Sequence, residues 1–283
     1  MASTAEENRE ENLECSAVND AKNKILSMVE KEPESFKEKA LKLTCNDVFV
    51  TDMLQKNKND VEKAVENVRS FLLWAKEMNI ANLSWLSFPL EYFKTGGMFT
   101  KYGRDVNGNI VIYRIFQNSA NLKEIREFNK RVLSFVFTEA TEEAYKNNTK
   151  ISIIYDFTNA RLENIDPALG TYLTKVCDEY VPDSILTLAL FYNLNWLVKP
   201  IIKMLLLAAP SRMKSKFQFA SGDEILKYVD EKNLAPFIRD STKNCLEVPE
   251  GAKSIDEIDL NAIGIQSEDK DKIKAVFGKY QKP

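Results

Sequence analysis

Residues 183–220 read DSILTLALFYNLNWLVKPIIKMLLLAAPSRMKSKFQFA, and this stretch decides how the rest of the chain is to be read. A membrane-crossing helix needs about 18–20 consecutive apolar residues. The uncharged run Ser184–Val198 stops short of that, at Lys199, Pro200 and Lys203. The segment therefore belongs inside a globular fold. Ser184–Tyr192, rich in Leu, Ile and Phe, reads as a fully buried strand. Ile201–Ala209 reads as a helix that is apolar on nearly every side except at Lys203. Such a helix is either enclosed or faces lipid. Proline is tolerated in a first helical turn, where its missing N–H costs nothing, so Pro200 places a hinge at Trp196–Pro200. A helix able to move as a unit follows that hinge.

Outward from this stretch the chain divides into four parts. Residues 1–16 are polar and acidic without periodicity and are expected to be disordered. Residues 17–95 form a helical lead, with helices predicted over Ala17–Lys31, Asp47–Gln55 and Val61–Met78, the last capped by Asn59-Asp60. Residues 96–245 alternate strand and helix. Strands are predicted over 109–116, 150–157, 184–192 and 215–220, and helices over 122–147, 167–180, 201–209 and 223–230. Strands spaced by helices imply βαβ units, hence an α/β fold with a mostly parallel sheet. Residues 246–283 are a charged tail that either wraps the body or hangs free.

Composition excludes much chemistry. The chain has no histidine, so the commonest general base and the commonest zinc ligand are both absent. Gly103 and Gly108 lack the Lys-Ser/Thr of a phosphate loop, and Gly96-Gly97 opens no dinucleotide fingerprint. Asp156, Glu163, Asp166 and Asp183 sit near predicted strand ends, where acids ordinarily cap helices and turns. No enzyme and no cofactor are expected. A net charge of −3 gives no global attraction to nucleic acid. Cys15, Cys45, Cys177 and Cys245 are widely separated, and the acidic N-terminus has no apolar core of a signal peptide. Both features point to reduced thiols in the cytoplasm.

The segment 47–77, DVFVTDMLQKNKNDVEKAVENVRSFLLWAKE, resembles the helical lead of the CRAL-TRIO lipid-binding family. The likeness continues through GRDVNGNIVIY (103–113), IYDF (154–157), YVPD (180–183) and KNLAPF (232–237), and covers about residues 17–240. It implies a helical lead beside a mostly parallel sheet, with a hydrophobic pocket closed by a gate helix at Trp196–Ala209. By position it implies a pocket lined by Ile112, Ile151, Ile153, Tyr155, Ala189, Phe191, Phe217 and Phe219. Val198, Ile202 and Leu205 would roof it from the gate. Asp183 and Lys216 stand where phosphatidylinositol-binding members touch a headgroup. Asp52, Gln55 and Lys56 replace the arginines that end the family's lead helix.

The resemblance implies binding and inter-membrane transfer or sensing of one lipid or other small hydrophobic ligand. Exposing a sixteen-carbon chain to water costs on the order of 13 kcal/mol at about 0.8 kcal/mol per methylene, so a carrier must close over it. At a bilayer the gate would bury its outer side among acyl chains, with Trp196, Lys199, Ile201, Lys203, Met204 and Leu207 as docking residues. Lys199, Lys203, Arg212, Lys214 and Lys216 lie close together with no acid among them and suit an anionic surface. The expected partners are the ligand and, transiently, an endomembrane surface. The protein is expected to be a monomer in the cytoplasm. The alternative is a ligand-free interaction or tethering module on the same fold.

Overall fold

The computed structural model describes residues 2–32, 34, 38, 46–182, 184–244 and 246–281, with side chains from residue 16 onward. Helix α1 spans Ala2–Val29, so it begins ahead of the boundary expected at residue 17. Its first half lacks an apolar stripe but is rich in Ala and Glu, which favour helix without burial. Helix α2 (Asp47–Lys56) starts where the Asn46 side chain accepts hydrogen bonds from the Val48 and Phe49 amides at 2.9 and 3.3 Å. Helix α3 (Val61–Glu77) is capped by Asp60, which accepts from the Lys63 amide at 3.1 Å. Its buried stripe includes Ala64, Val68, Phe71, Leu72 and Trp74.

After the short helix α4 (Leu90–Lys94) come strands β1 (Phe99–Arg104) and β2 (Ile110–Ile115), paired antiparallel. Strands β3 (Ile151–Asp156), β4 (Leu186–Tyr192) and β5 (Phe217–Ala220) then add in parallel, giving the order β1-β2-β3-β4-β5. Helices α5 (Arg126–Asn147), α6 (Pro167–Glu179) and α7 (Lys199–Ala208) make the successive crossovers. A right-handed βαβ repeat without reversal stacks its helices on one face. That face carries Ile112 and Ile153 against Val132, Phe135 and Val136 of α5. The opposite face, with Val111, Tyr113, Ile154 and Leu190, is covered by the segment after β5, through Ile225, Val229 and Phe237 of helix α9 (Pro236–Arg239). A single helical turn, α8 (Ser211–Lys214), precedes β5.

Two further features differ from the expectation. Strand β1 is absent from the predicted elements, because beyond Phe99 and Thr100 no residue is fully buried and FTKYGR has no apolar–polar alternation. It also bends at a bulge between Lys101 and Arg104. There Gly103, at φ +64°, has no room for a side chain: a Cβ would lie 2.2 Å from the Asn233 carbonyl oxygen. Residues 246–281 are part of the core. The Leu90 amide bonds the Lys253 carbonyl at 2.8 Å, and Arg131 donates to the Ala262 carbonyl at 2.7 Å. Ile255, Ile263, Ile265 and Ile273 are buried, and Phe277 of helix α10 (Lys270–Tyr280) packs on Tyr92 and Phe128 with ring centroids 6.3 and 5.5 Å away. No helix among the described residues is long and apolar enough to cross a membrane.

Truncating Phe277 to alanine is expected to cost about 3–5 kcal/mol in a denaturant titration, as for a fully packed core aromatic. A loss below about 0.5 kcal/mol would mean that α10 is not part of the core.

Candidate functional site

Residues two apart on a strand share a face, so the pairing registers decide which side chains meet. Ile112, Ile153, Ala189 and Phe217 are partners across β2 to β5 and form one row. The next row, toward the carboxyl ends of the strands, is Arg114, Tyr155, Phe191 and Phe219. In that row the Tyr155 and Phe191 rings stack at 4.9 Å and the Phe191 and Phe219 rings at 5.3 Å. Phe217 meets Phe191 edge-on at 5.5 Å.

Helices α6 and α7 cross above these rows and leave a cavity of about 80 Å³. Its floor is Tyr155, Phe191 and Phe217; its walls include Leu169 and Leu173 of α6, and its roof is Ile202, Leu205 and Leu206 of α7. The helices approach closely because α6 carries Gly170: a Cβ there would stand 2.8 Å from Leu205 Cδ1. The cavity volume is well below the roughly 300–1,000 Å³ of a ligand pocket. In this conformation the space beneath α7 is too small for a lipid-sized ligand. A second, open depression of about 440 Å³ lies outside the roof, bounded by Leu194, Lys199, Lys203 and Phe219. Phe191 belongs to both spaces and is the partition between them.

Helix α7 is pinned at its ends. Asn195 accepts from the Leu197 and Val198 amides at 3.1 and 3.3 Å and donates to the Ala160 carbonyl at 2.9 Å. Asn193, in the left-handed region at φ 51°, donates to Thr158 Oγ1 at 2.9 Å. Pro200 lies in the first turn, as expected of a tolerated proline. Beyond the far end, Arg212 Nε bonds the Asp178 carboxylate at 3.0 Å, and Lys214 donates to the Leu207 carbonyl at 3.0 Å. Lys56 of α2 donates to the carbonyls of Asp178 and Glu179 at 2.7 and 2.9 Å and so caps α6, while Asp52 accepts from the Tyr145 hydroxyl at 2.8 Å. Lys56 and Asp52 thus join the helical lead to the α/β body.

One wall of the cavity is polar. Arg114 is 4% exposed, lies over the Phe99 and Phe116 rings at 4.7 and 4.6 Å, and donates through Nη1 to the Ser119 hydroxyl. Among the described residues no carboxylate forms an ion pair with it, although Asp166 on the same wall acts on it through space. Burial lowers its pKa to about 9, which still leaves it cationic at neutral pH. Asp166, also on the wall, is engaged elsewhere: it caps α6 by accepting from the Ala168 amide at 2.9 Å and pairs with Arg126 Nε at 2.7 Å. An unpaired buried charge costs several kcal/mol. Stacking on aromatic faces returns about 2 kcal/mol and a hydrogen bond from a charged donor about 1.5–3 kcal/mol.

Of the expected pocket residues, Tyr155, Phe191, Ile202, Leu205 and Phe217 line the cavity. Ile112, Ile151, Ile153, Ala189 and Val198 do not; each is buried among core neighbours, because the helices pack directly on that part of the sheet. Phe219 has the expected facing but lies on the edge strand, 56% exposed, beside the outer depression. Asp183 lies outside the described residues. Lys216 is half-buried ahead of β5 and does not reach the cavity wall. It sits near Cys177, the buried thiol whose pKa desolvation pushes up to about 12. Of the expected docking residues, Trp196 at 80%, Leu207 at 78% and Met204 at 59% are exposed, as are Lys199 and Lys203. Ile201 is half-buried against the roof rather than turned outward. The basic cluster is thinner than its composition, since Asp178 neutralises Arg212. The polar wall is absent from the expected site, although a charge in the NIVIYRIF strand, two residues beyond inward-facing Ile112, was the available signal.

Residues 94–238 match the family described as CRAL/TRIO domain. The solved structure titled "Crystal structure of Sfh5" superposes with a TM-score of 0.54 at 13% identity, covering 75% of this chain and 81% of that one, a likeness of fold. A search of curated protein sequences found no significant match.

A methyl group at Gly170 must displace Leu205. Gly170→Ala is expected to lose about 1–2 kcal/mol from overpacking, offset by about 0.5–1 kcal/mol of helix propensity. Leu205→Ala in the same chain should remove the overpacking loss. A double-mutant cycle by thermal or denaturant melts checks this, and a coupling below about 0.5 kcal/mol would mean the two residues do not meet.

Proposed function

The chain belongs to the CRAL/TRIO domain family, and from that membership and the lidded cavity we propose that it is a non-enzymatic carrier or sensor of one hydrophobic molecule. The family binds lipids and other small hydrophobic ligands. The finer reading is that this chain takes up a single lipid-like ligand beneath α7 and exchanges it with a membrane. It would work as a cytoplasmic monomer that visits endomembranes.

The observation that carries this is the two-sided character of α7. Its inner side, Ile202, Leu205 and Leu206, closes the cavity, while Met204 and Leu207, with Trp196 just before the helix, stand in water. Adjacent apolar side chains exposed on the outside of a lid mark a surface awaiting another phase. Lifting α7 in water would expose its inner residues at about 1.5–3 kcal/mol each; at a bilayer most of that cost is removed. Lys199 and Lys203 on the same helix favour an anionic leaflet, each worth about 1 kcal/mol. Opening would thereby be coupled to docking. The segments NLNWLV (193–198) and SKFQFAS (215–221) are similar to the corresponding parts of motile sperm domain-containing protein 2, a kinship within the family that we propose on those residues alone.

A second reading has one observation in its favour, the small closed volume: the fold acts as a ligand-free interaction or tethering module through the same lid. The two separate on Phe191→Trp, which enlarges the partition beneath α7. A carrier keeps its fold and loses ligand, whereas a tether keeps its partner or vesicle binding.

Native mass spectrometry of freshly purified protein is expected to show a discrete adduct of lipid mass, reduced at least tenfold in Phe191→Trp. A homogeneous, ligand-free chain with no uptake from liposomes would refute the carrier. Replacing both Met204 and Leu207 with Asp, at exposed positions, is expected to lower vesicle co-sedimentation about tenfold without changing the melting temperature. Unchanged sedimentation would remove α7 from the docking surface.

A further inference from the structure

The polar wall of the cavity has no use in a purely apolar pocket. Arg114 is almost wholly buried, borders the cavity, and has only its Nη1 hydrogen-bonded, to the Ser119 hydroxyl and, at 3.4 Å, the Ile115 carbonyl. Its Nε and Nη2 donors have no hydrogen-bond partner among the described residues. A guanidinium presents a planar fork that fits a carboxylate with two parallel bonds. We propose that the ligand is a long-chain carboxylic acid that enters head-first, its carboxylate on Arg114 and its tail along the aromatic row. This rests on the carrier reading above and names its ligand class.

Three observations fix the class. First, Arg114 and Arg126 both act on the one carboxylate of Asp166, so this end of the cavity carries one net positive charge. A carboxylate, at one negative charge, balances it; a phosphate monoester carries about 1.5 to 2 and would leave an excess buried. Second, the space beside Arg114 is walled by apolar Phe99, Phe116 and Ile165, and Arg114 is the one basic side chain on the lining, where a polyanionic headgroup would call for several. Third, the register sets a direction. Arg114, Tyr155, Phe191 and Phe219 lie on four adjacent strands, so the row runs roughly 14 Å from the buried cation to the sheet edge. It passes the Phe191 partition and ends at exposed Phe219, beside the outer depression. An acyl chain laid on this row meets the Tyr155, Phe191 and Phe219 rings and, above them, Ile202, Leu205 and Leu206 of α7. Ser119 holds the guanidinium in place on the two rings, so its orientation exists before any ligand arrives.

The test compares two probes of identical chain on the full-length protein: cis-parinaric acid and the corresponding parinaryl alcohol, followed by fluorescence titration. The wild type is expected to bind the acid at least tenfold more tightly than the alcohol. Arg114→Met should weaken binding of the acid at least tenfold and so abolish the difference, and Arg114→Lys should retain part of the preference because the charge remains. Equal affinity of the wild type for acid and alcohol would overturn the carboxylate assignment while leaving the carrier intact. Binding of neither probe would refute the carrier itself, and with it this inference. The wild-type comparison needs no substitution, so its outcome does not depend on how well Arg114→Met folds.

Discussion

A strand face that carries Tyr155, Phe191 and Phe217 must be covered, and in this molecule α7 is the cover. Each of those rings left in water would cost about 1.5–3 kcal/mol, so the closed position is strongly favoured in solution. A helix satisfies its own backbone hydrogen bonds and can move without breaking a ladder, which a covering strand could not do. What holds α7 down is then side-chain burial and the pins at its two ends, Asn195 and Arg212. Gly170 lets it close fully, with Leu205 taking the space a side chain would occupy. The same contacts that make the cavity small are those a ligand would have to replace, one apolar surface for another.

Electrostatics divide the site along its length. The far end carries a buried cation seated on Phe99 and Phe116, the middle is aromatic, and the outer end has exposed Lys199 and Lys203 beside apolar side chains that face water. Salt links such as Arg212 to Asp178 and the Lys56 cap on α6 lie outside this path and hold the frame against which α7 would move. The interactions that hold the frame and those that seat α7 are therefore different ones.

Much of this was legible in the sequence because period and punctuation carried it. The apolar run 184–192, Pro200 and the all-round apolar helix after it gave the strand, the first turn and the lid, and the alternation from residue 109 gave the parallel sheet. Strand β1 was not legible, since an edge strand with a bulge and four partly exposed residues has no alternation to read. Nor was the docking of residues 246–281, whose buried isoleucines are scattered singly through a charged segment. Parity sorted Tyr155, Phe191 and Phe217 onto shared faces, and the family resemblance turned those faces toward the cavity. How much space remained above them did not, because it depends on Leu169, Gly170 and Leu173 of α6, read from sequence only as a crossover helix. Parity also placed Arg114 on the inward face, a signal that an apolar template passes over.

A reversible lock tests most directly whether α7 is a lid. Replacing Gly170 and Leu205 with cysteine, with the native cysteines changed to alanine, places two thiols where α6 and α7 meet, since a Cβ at Gly170 would stand 2.8 Å from Leu205 Cδ1. The oxidised protein is predicted to take up no fluorescent acyl probe from vesicles, and reduction should restore uptake to the level of the cysteine-free parent. Equal uptake by a fully oxidised, disulfide-bonded protein would show that ligand enters without moving α7, and would contradict the lid.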